Sequence, residues 1–292
     1  MSDQTDRFQP DPHSISTFIQ TALKEDIGDG DHTSLACIKH GVKGKAKLLV
    51  KEPGILAGQS LAELIFKEVD PSLEVRTFIF DGQPIEPGNI ILEVSGEEQS
   101  ILLAERPVLN CMQRMSGIAT TTSRYLKLIE GTGAKLLDTR KTTPGMRLLE
   151  KWAVRIGGGM NHRIGLYDMI LIKDNHVDYA GGIKEAISAV REYLVKKKMN
   201  LKVEIEVRNF EELDEALEEG PGNINRILLD NFTPENLKTA VQLIGKRFET
   251  EASGGINENT IREYALTGVD FISVGALTHS FKSLDLSLKA FK

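Results

Sequence analysis

Apolar residues along the chain recur at two periods. Between Ser14 and Asp26 they fall at Ile15, Phe18, Ile19, Ala22 and Leu23, the spacing of one helix face, with Ser14 placed to cap its start. Residues 1 to 13 show no such period and read as a loose arm. The period then shortens. KGKAKLLV (43–50), EVRTFIF (74–80) and NIILEV (89–94) read as strands, punctuated by turns at Gly54, Asp81-Gly82 and Pro87-Gly88. A helix over Gln59–Val69 separates the first two, which makes a small α+β unit. Residues 97 to 115 predict a long helix ending near Ser116-Gly117, and Ala119–Glu130 predicts a second.

From Ala134 the rhythm changes. Short apolar runs alternate with helical stretches: KLLD, MILI, VEIE, RILL, FETEA and FISV end at 138, 172, 206, 229, 252 and 274. The spacings of 34, 34, 23, 23 and 22 residues are those of βα units in a parallel sheet. Six such units favour a closed barrel over an open doubly wound sheet, and no GxGxxG follows the first strand to suggest a dinucleotide fold. The last segment, SLDLSLKAFK, alternates apolar and polar residues and predicts a strand returning to the first sheet. The predicted domains are 1–115 and 116–279, with 280–292 returning to the first.

Composition narrows the class. Hydrophobic residues make up 40% of the 292 and charged residues 27%, which excludes a disordered polyampholyte. The net charge of −6 argues against nucleic acid, because a phosphate backbone demands a basic face. No apolar run approaches the roughly 18 residues of a membrane span. The first residues lack an apolar signal core, and Cys37 and Cys111 form neither a CxxC pair nor a disulfide framework. The expectation is a soluble, cytoplasmic protein.

In βα barrels chemistry gathers where strands end. The predicted strands end in Asp138-Thr139-Arg140-Lys141, Lys173-Asp174-Asn175-His176, Glu204 and Glu206, Asp230-Asn231, Ser253-Gly254-Gly255, and Gly275-Ala276. Between Lys135 and Lys173 eight basic residues face only Asp138, Glu150 and Asp168, a net of +5 in an acidic chain. Lys135, Arg147 and Lys151 read as solvated helix faces. Arg140, Lys141, Arg163 and Lys173 flank strand ends or the Gly157-Gly158-Gly159 loop, where they can converge on a polyanion. Unpaired buried cations are unfavourable, so such a cluster implies an anionic partner. Ser253-Gly254-Gly255 before a helix, repeated at Gly275, can cradle phosphate with backbone N–H groups. Glu206 and Asp230 can hold Mg²⁺ or ribose hydroxyls, and Glu204 shares a face with Glu206. His13, His40 and His279 show no partner spacing, and Trp152 and Tyr167 read as packing residues.

The run DTRKTTPGMRLLEKWAVRIGGGMNHRIGLYDMILIKDNH (138–176) closely resembles the signature of the quinolinate phosphoribosyltransferases. AERPVLNCMQRMSGIATTT (104–122), VEIEV (203–207), LLDNF (228–232), EASGGI (251–256) and ISVGALTHS (272–280) match in order. The resemblance implies an α/β fold: an N-terminal α/β sandwich domain and an incomplete, open α/β barrel of parallel strands. It implies transfer of the phosphoribosyl group of phosphoribosyl pyrophosphate to quinolinate. The products would be nicotinate mononucleotide, carbon dioxide and pyrophosphate, with Mg²⁺ required. It also implies a homodimer, or a higher assembly of dimers, with shared sites.

Carried over by residue, Arg140, Lys141, His162, Arg163 and Lys173 fall where the family binds the two quinolinate carboxylates, with Thr139 beside them among the substrate-binding positions. Arg106 matches an arginine donated by the neighbouring subunit. Glu206 and Asp230 match carboxylates that contact ribose and metal, chiefly through pyrophosphate, and with Lys141 they form the catalytic set. Ser253, Gly254, Gly255 and Gly275 match the phosphate cradle. Pro107, where a helix former is commoner, and the interval from Glu206 to Asp230 depart from the pattern; the second keeps Glu204 as a substitute for Glu206. Three other readings stay open to the residues alone: an aldolase using Lys141 or Lys173 as a Schiff-base nucleophile, a related transferase acting on another anion, and a phosphometabolite sensor without turnover.

Overall fold

The computed structural model describes residues 10–291, which group into two compact units. The first takes in the chain up to Ser123, Thr143–Gly158, and the chain from Ser280; the second is Arg124–Thr142 with Gly159–His279.

In the first unit, α1 (Pro12–Ile27) starts earlier than the sequence predicts. Asp11 caps it in place of Ser14: its carboxylate accepts from the Ser14 N–H and hydroxyl, each at 2.9 Å, and Pro12 fills a first-turn position that needs no N–H. The predicted loose arm thus shrinks; its residues 1–9 lie outside the described residues. Ile15, Ile19 and Leu23 form the buried face of α1. A short α2 (His32–Cys37), capped by Asp31, has no counterpart in the predicted elements. Next come β1 (Lys43–Val50), β2 (Gly54–Ile55), α3 (Gln59–Val69), β3 (Glu74–Thr77), β4 (Pro84–Ile85) and β5 (Ile90–Glu97). Regular pairing of β3 stops at Thr77, short of the predicted Phe80, because the Phe78 and Ile79 N–H groups both converge on the Ile91 carbonyl.

Helix α4 (Glu98–Leu128) is continuous, where a break was expected at Ser116-Gly117. Both residues serve contacts instead. Ser116 Oγ accepts from Ala57 N at 3.0 Å and donates to Ala57 O at 3.1 Å. A Cβ on Gly117 would lie 2.3 Å from the Lys282 carbonyl oxygen, so glycine lets the returning chain approach the helix. Pro107 is accommodated inside α4 and buried. Helix α5 (Arg147–Ile156) buries Leu149, Ala153 and Val154; Lys151 is fully buried too, against the expectation of a solvated face. Antiparallel strands in the order β12–β1–β5–β3 form the unit's main sheet. There β12 (Leu286–Phe291) pairs with β1 from Val50↔Leu286 to Lys45↔Phe291.

The second unit carries six parallel strands: β6 (Lys135–Leu137), β7 (Ile170–Ile172), β8 (Val203–Val207), β9 (Arg226–Asp230), β10 (Glu249–Ser253) and β11 (Phe271–Ser273). Their order is β6–β11–β10–β9–β8–β7. Helices α6 (Asp174–Ala180), α7 (Ile183–Lys197), α8 (Phe210–Glu219), α9 (Pro234–Ile244), α10 (Ile261–Ala265) and α11 (Ala276–His279) follow strands β7 to β11. All five residues of β8 are buried, as expected of a parallel strand covered on both faces. The strand rhythm alone favours a closed barrel, but β6 and β7 do not pair and the barrel is open. Met160 occupies the vacant edge of β6: its N–H donates to Leu136 O at 2.9 Å and its carbonyl accepts from Asp138 N at 3.1 Å. Among the described residues no helix is long and apolar enough to cross a membrane.

Candidate active site

Parallel strands present all their C-terminal ends at one face, and most of the predicted site residues sit there. At the end of β6 the Asp138 side chain is fully buried. Its Oδ1 accepts from His162 N at 2.8 Å and its Oδ2 from Asn161 Nδ2 at 2.6 Å, which ties the glycine-loop segment to the strand. Thr139 Oγ1 accepts from Lys141 N at 3.0 Å and turns the chain; the Lys141 carbonyl then accepts from Thr278 Oγ1 at 2.9 Å. A Cβ on Gly275 would lie 3.1 Å from Lys141 Cδ and 2.9 Å from His279 Nε2. The Lys141 stem therefore lies along the glycine.

Arg163 is 9% exposed, and Nη1 donates to Met169 O at 3.3 Å. Burial pushes its guanidinium pKa down, and the neighbouring Arg140 pushes it further. Arg140 Nε is buried without a hydrogen-bond partner. Two guanidinium groups thus lie near each other, and one keeps an unsatisfied buried donor. Lys173 closes β7, with Nζ 3.4 Å from Glu206 Oε2. His162, grouped with these cations from the sequence, turns its ring into the protein. Nδ1 accepts from the Arg163 N–H at 2.7 Å, and Nε2 lies 2.9 Å from Glu204 Oε2 and 3.6 Å from Glu251 Oε1.

The acidic side is equally ordered. Glu206 is 6% exposed; burial raises its pKa, Lys173 opposes that shift and Asp230 adds to it. Asp230 Oδ1 accepts from Ser253 Oγ at 2.5 Å and Oδ2 from Asn231 Nδ2 at 2.6 Å. Asn231 sits at φ +58°, a left-handed conformation that asparagine tolerates better than most residues. Gly254 (φ +95°) packs against it so tightly that a Cβ would meet Asn231 Oδ1 at 2.2 Å. Gly254 and Gly255 are both left-handed, which gathers backbone N–H groups into a concavity suited to an anion. The glycines do not open directly into a helix, as the sequence suggests; α10 begins only at Ile261, after a turn at Asn257. Glu204 is fully buried in the barrel interior, whereas Glu206 lies nearer the strand mouth beside Lys173, so the structure separates the two glutamates.

Arg106 is exposed on α4. Tyr167 is 71% exposed, not packed in a core, with its ring over Gly165. Trp152 is half-buried on α5. Sequence reasoning placed Asp138 and Asn231 at strand ends without a role and missed Asn161, Glu251 and His279 as neighbours of the site. The strand-end rule points at Asp138 and Asn231. Nothing local marks Glu251, which Arg226 Nη1 meets at 2.8 Å in the barrel interior.

Two domain models of one family match the chain: the quinolinate phosphoribosyl transferase N-terminal domain over residues 31–116 and the C-terminal domain over 118–289. The chain is 49% identical to the chloroplastic carboxylating nicotinate-nucleotide pyrophosphorylase of Oryza sativa subsp. japonica, covering 95% of this chain and 78% of that protein. It is 42% identical to the probable carboxylating nicotinate-nucleotide pyrophosphorylase of Bacillus subtilis, covering 90% and 89%. Among solved structures, NadC from Streptococcus pyogenes superposes with a TM-score of 0.90 at 37% identity, over 98% of this chain and all of that one. The nicotinate-nucleotide pyrophosphorylase from Francisella tularensis superposes at 0.89 with 39% identity over the whole of both chains. One expectation falls. Similar plant proteins are named chloroplastic or, in Nicotiana glauca, mitochondrial, so the composition-based placement in the cytoplasm does not stand.

Proposed function

The chain belongs to the quinolinate phosphoribosyltransferase family, and from that premise we infer that it transfers the phosphoribosyl group of phosphoribosyl pyrophosphate to quinolinate with decarboxylation. The products are nicotinate mononucleotide, carbon dioxide and pyrophosphate, and the reaction belongs to de novo NAD biosynthesis. The observation that carries this reading is the pairing of Arg140, with its orphaned buried Nε, and the nearly buried Arg163. Such an arrangement is unfavourable until an anion fills it.

Quinolinate is a dianion and phosphoribosyl pyrophosphate carries several more charges. Arg140, Arg163, Lys141 and Lys173 offset that repulsion and orient the pyridine dicarboxylate. Thr139 shapes the turn that presents Arg140 and Lys141, and His162 holds the Arg163 backbone. The left-handed pair Gly254-Gly255, with Ser253 and Gly275, supplies the phosphate cradle. The C1–oxygen bond of the ribose breaks and its electron pair leaves with pyrophosphate. Glu206 and Asp230 hold the ribose hydroxyls and ease the positive charge that develops at C1. The pyridine nitrogen attacks C1, and the cationic ring then draws in the pair of the C2–carboxylate bond. Carbon dioxide departs and C2 takes up a proton. Lys141 faces the charge that shifts during these steps. The nearly buried Arg163 offers the substrate a poorly hydrated cation, and a carboxylate that is weakly solvated is lost more readily.

Glu206 and Asp230 offer hard oxygen donors on adjacent strands, a set that fits Mg²⁺ held by one or two carboxylates and substrate phosphates. Held there, Mg²⁺ would supply positive charge to the leaving pyrophosphate. The exposed Arg106 supports a homodimer, or an assembly of dimers, in which each site receives this arginine from the neighbouring subunit.

The test mixes the protein with quinolinate, phosphoribosyl pyrophosphate and Mg²⁺ and follows nicotinate mononucleotide and carbon dioxide, with nicotinate as the control base. Product from quinolinate alone is expected. Product from nicotinate, or none from either with folded protein, overturns the assignment.

A further inference from the structure

The barrel interior holds charge where most parallel barrels hold branched aliphatics. Glu204 on β8, Arg226 on β9 and Glu251 on β10 point into it from three successive strands; both glutamates are fully buried. Arg226 bonds Glu249 through Nη2 at 3.0 Å and Glu251 through Nη1 at 2.8 Å, with its guanidinium 3.9 Å from the Phe271 ring centroid. By strict geometry Glu204 Oε1 and Oε2 and Glu251 Oε1 accept no hydrogen bond. The two carboxyls neighbour each other, and His162 Nε2 lies in close polar contact, 2.9 Å from Glu204 Oε2 and 3.6 Å from Glu251 Oε1. None of these interior groups except His162 faces the reaction described above.

Ligand atoms of His162, Glu204 and Glu251 lie within 4.8 Å of one another, a separation a metal ion could span. The imidazole argues against that use. Nδ1 accepts the Arg163 N–H at 2.7 Å and so carries no proton, which places the ring proton on Nε2. A protonated Nε2 has no lone pair to give a metal. It is a donor, and it faces two acid side chains. The ring thus has a hydrogen bond from a backbone N–H at Nδ1 and close carboxylate contacts at Nε2. Asp138 fixes the same segment through the His162 N–H and Asn161 Nδ2.

Two buried glutamates and one arginine are weakly stabilising at best, since apolar side chains of similar volume would fill the interior without their desolvation. Their geometry serves orientation. We propose that Glu204, backed by Glu251 and Arg226, is a positioning residue for the quinolinate pocket: it sets the His162 tautomer and ring angle, and through Nδ1 the Arg163 backbone, so that the Arg163 guanidinium is aimed before substrate arrives. This role rests on the proposed function, because Arg163 is taken to meet a substrate carboxylate.

Calorimetry with quinolinate alone and with phosphoribosyl pyrophosphate alone, on wild type, Glu204→Leu and Glu204→Gln, tests it. The glutamine keeps a polar oxygen that can stay in contact with Nε2–H; the leucine keeps none. Expected is a loss of on the order of tenfold or more in quinolinate affinity for the leucine variant and recovery of most of it by glutamine. Phosphoribosyl pyrophosphate affinity should stay within about twofold in both, which a general structural defect would not allow. If the leucine variant does not fold, ¹⁵N NMR of wild-type His162 decides: a bare Nδ1 and protonated Nε2 support the proposal, and a protonated Nδ1 overturns it. Equal quinolinate affinity in all three proteins overturns the positioning role alone. A wild type with the stated tautomer that binds no quinolinate overturns the proposed function, and the role of Glu204 with it.

Discussion

Ser253 Oγ and Asp230 Oδ1 lie 2.5 Å apart, with the hydroxyl donating from β10 to the carboxylate at the end of β9. The Ser253 proton is thereby committed to Asp230, and Asn231 Nδ2 restrains the other carboxylate oxygen. Ser253→Ala should free one side of Asp230. A hydrogen bond to a charged group contributes about 1.5–3 kcal/mol, so KM for phosphoribosyl pyrophosphate should rise on the order of tenfold or more. Steady-state kinetics with each substrate varied in turn checks this; KM for quinolinate should hardly move.

Arg163→Ala and Lys141→Ala should each weaken quinolinate. Truncating one member of a desolvated charge pair costs about 2–5 kcal/mol, a fall in affinity of roughly 30-fold or more. Arg163 should show the larger effect, being the more deeply buried. Direct titration with quinolinate measures it, and unchanged affinity in both variants would remove these residues from the pocket.

Gly275→Ala adds a methyl group 3.1 Å from Lys141 Cδ and 2.9 Å from His279 Nε2. Its backbone is not among the left-handed glycines, so the fold should accept alanine. Lys141 must shift instead. Displacing a catalytic group by about 1 Å can lower activity on the order of a hundredfold. The expected outcome is a folded protein with kcat/KM reduced by at least tenfold or so and a melting temperature only a few degrees lower, roughly what 1 kcal/mol produces.

Stability should fall with rising pH through the neutral range. Burial, the largest cause, lifts the Glu251 carboxyl from 4.5 to about 7 and that of Glu204 to about 6. A carboxyl whose folded pKa lies above its unfolded value holds more protons when folded. Its contribution is therefore complete below about pH 4.5 and declines as pH rises toward 7. Melting curves of wild type and Glu251→Gln between these limits should converge or cross as pH rises, the variant showing the shallower slope. Parallel curves would mean that Glu251 stays ionised.

Arg106→Ala and Lys141→Ala subunits should complement each other. In a dimer with shared sites, each variant alone lacks one group at every site. Mixed dimers contain one intact site, and random mixing should restore about a quarter of wild-type activity. Refolding the two variants together and assaying the mixture checks it; no restoration would place Arg106 outside the site.

Local patterns carried the elements further than the contacts between them. The strand β1 and helix α3 match the predicted spans residue for residue, because a period-2 run and an amphipathic turn-bounded helix are decided by neighbours in sequence. The six short barrel strands were legible as buried apolar runs. The open barrel was legible only through the family resemblance, since the number of βα units is silent on whether β6 and β7 meet; Met160 takes the edge of β6 instead. Gly117 looked like a helix end because its reason for being glycine is Lys282, far along the chain. Lys151 looked solvated because charge is a poor guide to a helix face that the fold buries. The same limit governs the site. Strand ends exposed the cations, Glu206 and Asp230 to sequence reasoning, while Asp138, Asn231 and Glu251 gain their meaning from the groups they bond: Asn161 and His162, Asp230, and Arg226.

Pairing of β12 with β1 also has a consequence for synthesis. About 240 residues separate Val50 from Leu286, so at roughly 5–20 residues per second a ribosome needs on the order of ten to fifty seconds to make the partner strand. Throughout that interval β1 is an unguarded edge, with Leu48 and Val50 available to another nascent chain. Lys43, Lys45 and Lys47 alternate along the same strand. Their charges repel a second copy of the edge during the wait, and they let β12 claim its place when it emerges.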